Sequence, residues 1–335
     1  MAPINSQRTS YWQLVRRQFR KNRFSVFAFW FLALLLVLAV LAPFLAGDRP
    51  IIMRRDGTWY WFPNVLEYKD LVDLQGRFHE WRPGEGEFAY RPPIPYAPER
   101  SDLLRALEAP NREHWLGTDD RGRDVLSRLI WGTRISMSVG FVAVGIACVI
   151  GVCIGALAGY YGGKVDAVML RLIEVMKCFP VFIFILTLIA FLPQSIFNIM
   201  VVIGVTSWTG VARLVRGEML RLRGQEFAVA AKAAGLADAR IIFRHLLPNA
   251  LAPVLVYATF GVASAILIET ALSFLGFGVP PPIASWGETL SQSKRYIDSA
   301  WWLVVYPGLA IFATVTAFNL VGEGLRDAMD PRLRE

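Results

Sequence analysis

The sequence predicts an all-α integral membrane protein with six spans and a long insertion after the first. Several charge-free apolar runs are long enough to cross a bilayer, which takes about 20 residues. Charged residues make up only 19% of a 335-residue chain that is 55% hydrophobic, whereas about a quarter of a soluble domain is charged. Lys and Arg cluster beside the apolar runs. Length alone would suggest two soluble domains at about 150 residues each, and this distribution of charge argues against them.

The spans are expected near residues 24–46, 135–160, 167–192, 196–213, 248–272 and 301–322. A basic segment, residues 1–23, precedes the first span, residues 47–134 form the insertion, and residues 135–330 hold the other five spans with a loop at 214–247. The first span is an anchor, because its apolar stretch far exceeds the 7–15 residues of a signal-peptide core. The third carries Asp166, Arg171, Glu174 and Lys177 in its first half. Arg171, Glu174 and Lys177 are three apart, so they share a helix face and can pair near the interface. Pro193, Gln194 and Ser195 divide the third span from the fourth.

Orientation follows from the placement of basic residues in segments flanking the spans. Arg8, Arg16, Arg17, Arg20, Lys21 and Arg23 precede the first. Arg213, Arg216, Arg221, Arg223, Lys232, Arg240 and Arg244 lie between the fourth and fifth, and Arg326, Arg332 and Arg334 follow the sixth. With six spans all three groups fall on one side, the cytoplasm, with both termini. The net charge of +8 is therefore a topology signal rather than a mark of nucleic-acid binding.

In the insertion, residues 51–62 read as a hairpin, because Asp56-Gly57 supplies the positive dihedrals of a tight primed turn. In a strand Trp59 and Trp61 face one way, Tyr60 and Phe62 the other. Residues 76–98 show no clear period. Gly151, Gly155 and Gly159 line one face of the second span and let another backbone approach closely. Cys148, Cys153 and Cys178 read as small apolar core residues. His79, His114 and His245 have no partner at metal-ligand spacing, and no cofactor, metal or catalytic residue is expected. The nearest phosphate-loop candidate, around Gly163-Lys164, has Ala158 where Gly is needed and Val165 where a hydroxyl must reach magnesium. Nor is there a Gly-x-Ser-x-Gly elbow or a His-Glu-x-x-His helix.

In the 214–247 loop, residues 211–234 are good helix formers, Gly235 fits a C-cap, and Asp238 precedes a second helical run through His245. Pro248 starts the next span, where its missing donor costs little. Ala230 and Ala234 share a face. On residues alone, such a helix either sinks into a groove on a partner or lies at the membrane surface.

This loop resembles the EAA loop of permease subunits in bacterial ABC importers, through Ala230, Ala231, Gly235, Leu247 and Pro248. The family's Glu position holds Val229, and Glu226, three earlier, matches an acid common in the peptide branch. Leu116-Gly-Thr-Asp-Asp-Arg-Gly-Arg-Asp-Val-Leu-Ser-Arg128 with Gly132-Thr-Arg-Ile-Ser136 resembles the outside segment of dipeptide/oligopeptide permease C subunits. Glu269-Thr-Ala-Leu-Ser-Phe-Leu-Gly-Phe-Gly-Val279 with Ser285-Trp-Gly287 does likewise. The likeness covers about residues 115–335 and the first span. Residues 55–60, Arg-Asp-Gly-Thr-Trp-Tyr, and the insertion further resemble the Yej-type subunit, whose importer takes oligopeptides and microcin C.

The resemblance implies the type I importer permease fold in the bacterial inner membrane, with the insertion in the periplasm. It implies docking of a cytoplasmic ATPase subunit on the loop, at Glu226, Ala230, Ala231, Ala234, Gly235, Leu236, Arg240, His245 and Pro248. It also implies a periplasmic motif of Gly117, Thr118, Asp119, Gly122, Arg123 and Asp124, a second permease subunit, a periplasmic binding protein and a peptide cargo. The chain itself would bind no ATP and break no bond. Nickel or glutathione in the same machinery is the alternative cargo. A stand-alone secondary transporter is the alternative class; it would show internal repeats and interrupted helices, and no convincing repeat is present.

Overall fold

The structure is a computed structural model describing residues 11–74 and 76–330; Arg8, Arg332 and Arg334 of the basic clusters lie outside the described residues. A short helix α1 (Tyr11–Phe19) leads into α2 (Arg23–Leu45), whose N-cap Asn22 accepts from Ser25 N–H. After the insertion come α3 (Val125–Tyr161), α4 (Gly163–Lys177), α5 (Val181–Phe191), α6 (Ile196–Arg223) and α7 (Glu226–Ala233). One continuous helix, Asp238–Phe274, follows; within it α8 (Asp238–Arg240) and α9 (Leu247–Phe274) flank a π-helical turn at Ile241–Leu246. The short α10 (Trp286–Gln292) and the long α11 (Trp302–Met329) complete the chain. Among the described residues five helices are long and apolar enough to cross a membrane, and α4 with α5 makes a sixth if a bent pair counts as one span.

That bend corrects the expected third span. Residues 167–192 are two helices meeting at 79°, because Pro180, the N-cap of α5, has no N–H to continue the ladder of α4. Arg171 pairs with Glu174 at 3.1 Å as the spacing suggested, both exposed. Asp166 instead takes Arg216 of α6 in two bonds of 2.5 and 2.6 Å.

The long helices bury small residues against one another and turn large ones outward. On α2, Ala28, Ala39 and Ala42 are buried while Phe24, Phe27, Trp30 and Val40 are exposed. This is the inverse of a soluble helix and suits a hydrocarbon solvent. For the same reason Cys153 and Cys178, expected in the core, lie exposed on helix surfaces. The glycine stripe finds its partner within the chain. A Cβ on Gly151, Gly155 or Gly159 would stand 2.4–2.6 Å from Val211 Cβ, the Ala212 carbonyl oxygen or Met219 Cβ, all on α6, which forms the most extensive helix pair with α3. The start of α2 and the end of α11 meet likewise, where Ser25 Oγ donates to Leu320 O at 2.8 Å beside Gly324.

The insertion folds as a sheet of order β2-β1-β3, with β1 (Ile52–Arg55), β2 (Thr58–Trp61) and β3 (Phe88–Tyr90), all antiparallel. The hairpin turn falls at Asp56 and Gly57, with φ of 50° and 77°. Tyr60 and Met53 pack inward on Leu71, Leu74 and Phe78, while Trp59, Trp61, Phe88 and Tyr90 stay exposed on the other face. Phe62 does not share the face of Tyr60 as expected. Its φ is +57°, so the strand has ended, and its ring meets Phe44 at the end of α2 with centroids 5.8 Å apart.

Candidate functional site

The expected loop forms at the end of the bundle where α3, α6 and α11 finish. Helix α6 stops at Arg223, earlier than the expected continuous run to residue 234, and Gly224 and Gln225 separate it from α7. Gly235 has φ +74°. Its N–H bonds to Lys232 O at 3.0 Å and that of Leu236 to Ala231 O at 3.2 Å, the paired bonds of a glycine C-cap. Pro248 does not restart a helix after a break, because the π turn carries the chain across it. Proline has no N–H and its ring crowds the carbonyl four residues back; the widened turn lets Leu247 N–H reach Ile242 O, five back.

The named residues divide between two faces. Glu226, Ala230, Ala234, Gly235 and Arg240 are exposed, with Phe227 and Val229 beside them. Ala231 points the other way and is buried with Ala228 among Val215, Met219, Ile241 and Leu246, with Leu236 packed alongside. A substitution at Ala231 therefore acts first on the chain's own packing. His245 is half-buried and Pro248 exposed. Two groups sequence reasoning missed fasten the loop to α3. Tyr160 Oη donates to Asp238 at 2.6 Å, and Arg223 donates to the carbonyls of Gly159 and Tyr160 at 3.1 Å each.

At the opposite end the two remote motifs interlock. Asp119 is fully buried, accepting from the backbone N–H groups of Arg121 and Arg123 at 2.9 Å and from Arg123 Nε at 2.7 Å. Asp124 caps α3 by accepting from Ser127 N–H at 2.7 Å and meets His114 Nδ1 at 2.8 Å. Burial pushes the Asp124 carboxyl above the usual carboxylate range, against the hydrogen bonds and His114, which pull it down. Thr118 Oγ1 donates to Arg105 O and accepts from Glu108 N–H. Gly122 has φ +70°, and a Cβ there would overlap the Asp102 carbonyl at 1.7 Å. Gly117, at φ +77°, faces Trp302, whose Nε1 donates to Thr118 O at 3.0 Å.

Arg128, with no exposed side-chain surface, donates to Pro98 O at 2.9 Å, to Glu288 of α10, and lies 3.5 Å from Asp119. Trp286 Nε1 donates to Leu129 O at 3.0 Å across Gly132, where a Cβ would stand 2.9 Å from the indole. Glu269, fully buried, accepts from Ser273 and Ser285 at 2.8 and 2.9 Å. Glu288 and Trp302 had no signal in a single sequence, since each becomes meaningful only through a partner far along the chain.

Between the two ends lies a cavity of about 440 Å³ walled by α3, α6 and α9 and the α4–α5 bend. Ala143, Ala147, Ile203 and Phe260 make it apolar; Lys177, Ser207, Tyr257 and Ser264 add polar groups. Tyr257 reaches it across Gly210, where a Cβ would lie 1.9 Å from the hydroxyl. Among the described residues no group of three His, Cys, Asp or Glu side chains is placed to hold a metal ion.

Residues 151–335 match the model of the binding-protein-dependent transport system inner membrane component family. Residues 10–56 match that of the N-terminal transmembrane domain of oligopeptide transport permease C. The dipeptide transport system permease protein DppC of Alkalihalophilus pseudofirmus is 44% identical over 228 residues, 68% of this chain and 75% of that protein. The oligopeptide transport system permease protein OppC of Bacillus subtilis is 39% identical over 235 residues, 70% of this chain and 77% of that protein. A solved inward-facing structure of the MetNI methionine ABC transporter covers 61% of this chain and 95% of its own at 20% identity, with a TM-score of 0.49. The chain belongs to the family of inner membrane components of binding-protein-dependent transport systems. Within it the chain is a permease of the DppC/OppC type.

Proposed function

We propose that this chain is one transmembrane subunit of an ABC importer for dipeptides or oligopeptides in the bacterial inner membrane. It carries the cargo by alternating access while a separate ATPase subunit hydrolyses ATP. The observation that carries the reading is the loop. Ala230, Ala234 and Gly235 form an exposed small-residue surface with Glu226 at its edge, the turn behind it is tied to α3 through Asp238, and the end of α6 is tied to α3 through Arg223. A shallow helix of this kind fits a groove on a partner, and motion of the partner reaches the spans through those ties. The cavity around Tyr257 and Lys177 would be this subunit's share of the pathway, completed by a second permease. A binding protein would deliver cargo at the insertion end. Support for the finer, Yej-type branch with its oligopeptide and microcin C cargo is confined to residues 55–60 and the insertion.

Gly235→Val tests the docking role. No atom lies within 4 Å of a Cβ there, so the cost is conformational, about 1 kcal/mol or more for a branched side chain at positive φ. The variant is expected to insert normally yet lose the co-purifying ATPase and peptide uptake. Normal co-purification together with normal uptake would exclude the role. The same reading puts the loop in the cytoplasm with both termini. A cysteine at Gly224 should escape impermeant reagent added to the periplasm, and one at Gly86 should react; labelling at 224 would reverse the topology.

A further inference from the structure

A second cavity, about 530 Å³, opens at the insertion end between the sheet subdomain and the turn that caps α3. It lies in the stretch between the two family-model matches, 10–56 and 151–335. Its walls bring together the side chains of Arg82, Arg91, Arg100 and Arg105, with His79, Tyr96 and His114. Of the acids that line it, two are engaged with basic groups and one, Asp102, only with backbone. Glu113 pairs with Arg105, Asp124 holds His114 and the cap of α3, and Asp102 accepts from Leu104 N–H at 3.2 Å. Arg91 is fixed by donating from Nη2 to the carbonyls of Phe78 and Trp81 at 2.9 and 2.7 Å. Arg82 and Arg100 have no carboxylate partner among the described residues.

Three guanidinium groups without a carboxylate partner among the described residues thus line one half-enclosed space, Arg91 and Arg100 half-buried and Arg82 exposed at its rim. Such an arrangement is costly when empty, because like charges repel more strongly where water is partly excluded. Burial, then Arg82 and Arg100, hold the Arg91 guanidinium below its ordinary pKa, with Asp48 acting the other way. His79 Nδ1 adds a buried ring nitrogen with no partner. Planar, fork-shaped donors in this number match an oxyanion, and the volume lies in the range of small-ligand sites, about 300–1,000 Å³.

We propose that this cavity binds an oxyanion, a carboxylate or a phosphate, carried by a small solute on the insertion side of the molecule. Arg82 and Arg100 grip it, Arg91 supplies the fixed positive wall, and Tyr96 covers one side, its ring tilted 37° against His114 with centroids 4.5 Å apart. The site abuts His114 and Asp124, so its occupant sits against the N-terminal cap of α3.

The test uses the full chain in lipid nanodiscs with whatever subunits co-purify, titrated calorimetrically with triglutamate, with trialanine amide and with inorganic phosphate. At least one anion should bind saturably. Arg82→Gln with Arg100→Gln should weaken it at least about tenfold, since each loses a charge-assisted hydrogen bond. Trialanine amide should behave identically in both proteins. Arg82→Lys with Arg100→Lys, which keeps the charge, should retain most of the affinity. Triglutamate binding without phosphate binding identifies peptide carboxylates as the occupant; phosphate that binds and displaces triglutamate identifies free phosphate. The proposal is overturned if neither anion binds at millimolar concentration, or if every anion that binds does so as tightly in the glutamine variant as in the wild type.

Discussion

Gly155→Leu is expected to leave little folded protein in the membrane. A Cβ at this position stands 2.4 Å from the Ala212 carbonyl oxygen, 2.9 Å from Val215 Cβ and 3.0 Å from Arg216 N. Two of these are backbone atoms of α6, so no rotamer change relieves the contact, and α3 and α6 must separate. Overpacking a fitted interface costs about 1–3 kcal/mol, and separation here also loosens the flanking contacts at Gly151 and Gly159. The upper end of that range or beyond is expected for leucine, with alanine milder but in the same direction. Gly145→Ala and Gly217→Ala are the controls, since nothing lies within 4 Å of either added carbon; both should match wild type. Thermal unfolding in detergent and the amount of protein per cell measure the effect. A Gly155→Leu protein as stable as wild type would mean that the two helices do not meet along this stripe.

Arg128→Met should destabilise the insertion end by about 3–5 kcal/mol, as breaking a buried ion pair from one side does. The cluster holds two acids and two bases, Asp119, Glu288, Arg123 and Arg128. With Arg128 gone, Glu288 keeps the neutral donor Gln292 Nε2 at 2.5 Å but no cation nearer than Arg123 at 3.9 Å, and Pro98 O loses its donor. The double variant Arg128→Met with Glu288→Met should recover much of the loss, because replacing both members of a buried pair by apolar groups is often close to neutral. Melting temperatures of the four proteins of this cycle decide the matter. An Arg128→Met protein with an unchanged melting temperature, or a double variant no better than the single ones, would show that the cluster does not hold this end together.

Features set by neighbouring residues were legible in the sequence, and those set by distant ones were not. The Asp56-Gly57 hairpin could be read because the turn requires positive φ at two adjacent positions. Strand β3 could not, because three residues acquire strand geometry only by pairing with β1. Phe62 departs from the alternation of its strand although its N–H still meets Ile51 O, its register partner, at 2.8 Å; its φ of +57° turns the chain there, and its ring follows Phe44. The glycine stripe announced a close helix contact, but α6 answers it with valine, methionine and bare backbone, so nothing marked the partner. The bend at Pro180 was not read from the third span, because its size depends on what α4 and α5 each pack against. In the loop, Gly235 was placed correctly as a cap. Which side of α7 faces inward was not, because Ala230 and Ala231 are chemically identical and only the surrounding core distinguishes them. Asp119 and Arg123 stood in a recognisable motif, whereas Glu288, which meets Arg128, lies 160 positions along the chain from it.

The unbroken helix from Asp238 to Phe274 has the form of a lever. Its 37 residues span about 55 Å at 1.5 Å per residue. One end is pinned to Tyr160 through Asp238; the far end is latched to Ser285 through Glu269. Had Pro248 broken the chain, as its chemistry invites, a push on one end would have been absorbed at that joint. The wide turn at Ile241–Leu246 instead splints the proline, so a thrust or torque applied beside α7 would emerge at the insertion end of the bundle some tens of ångströms away.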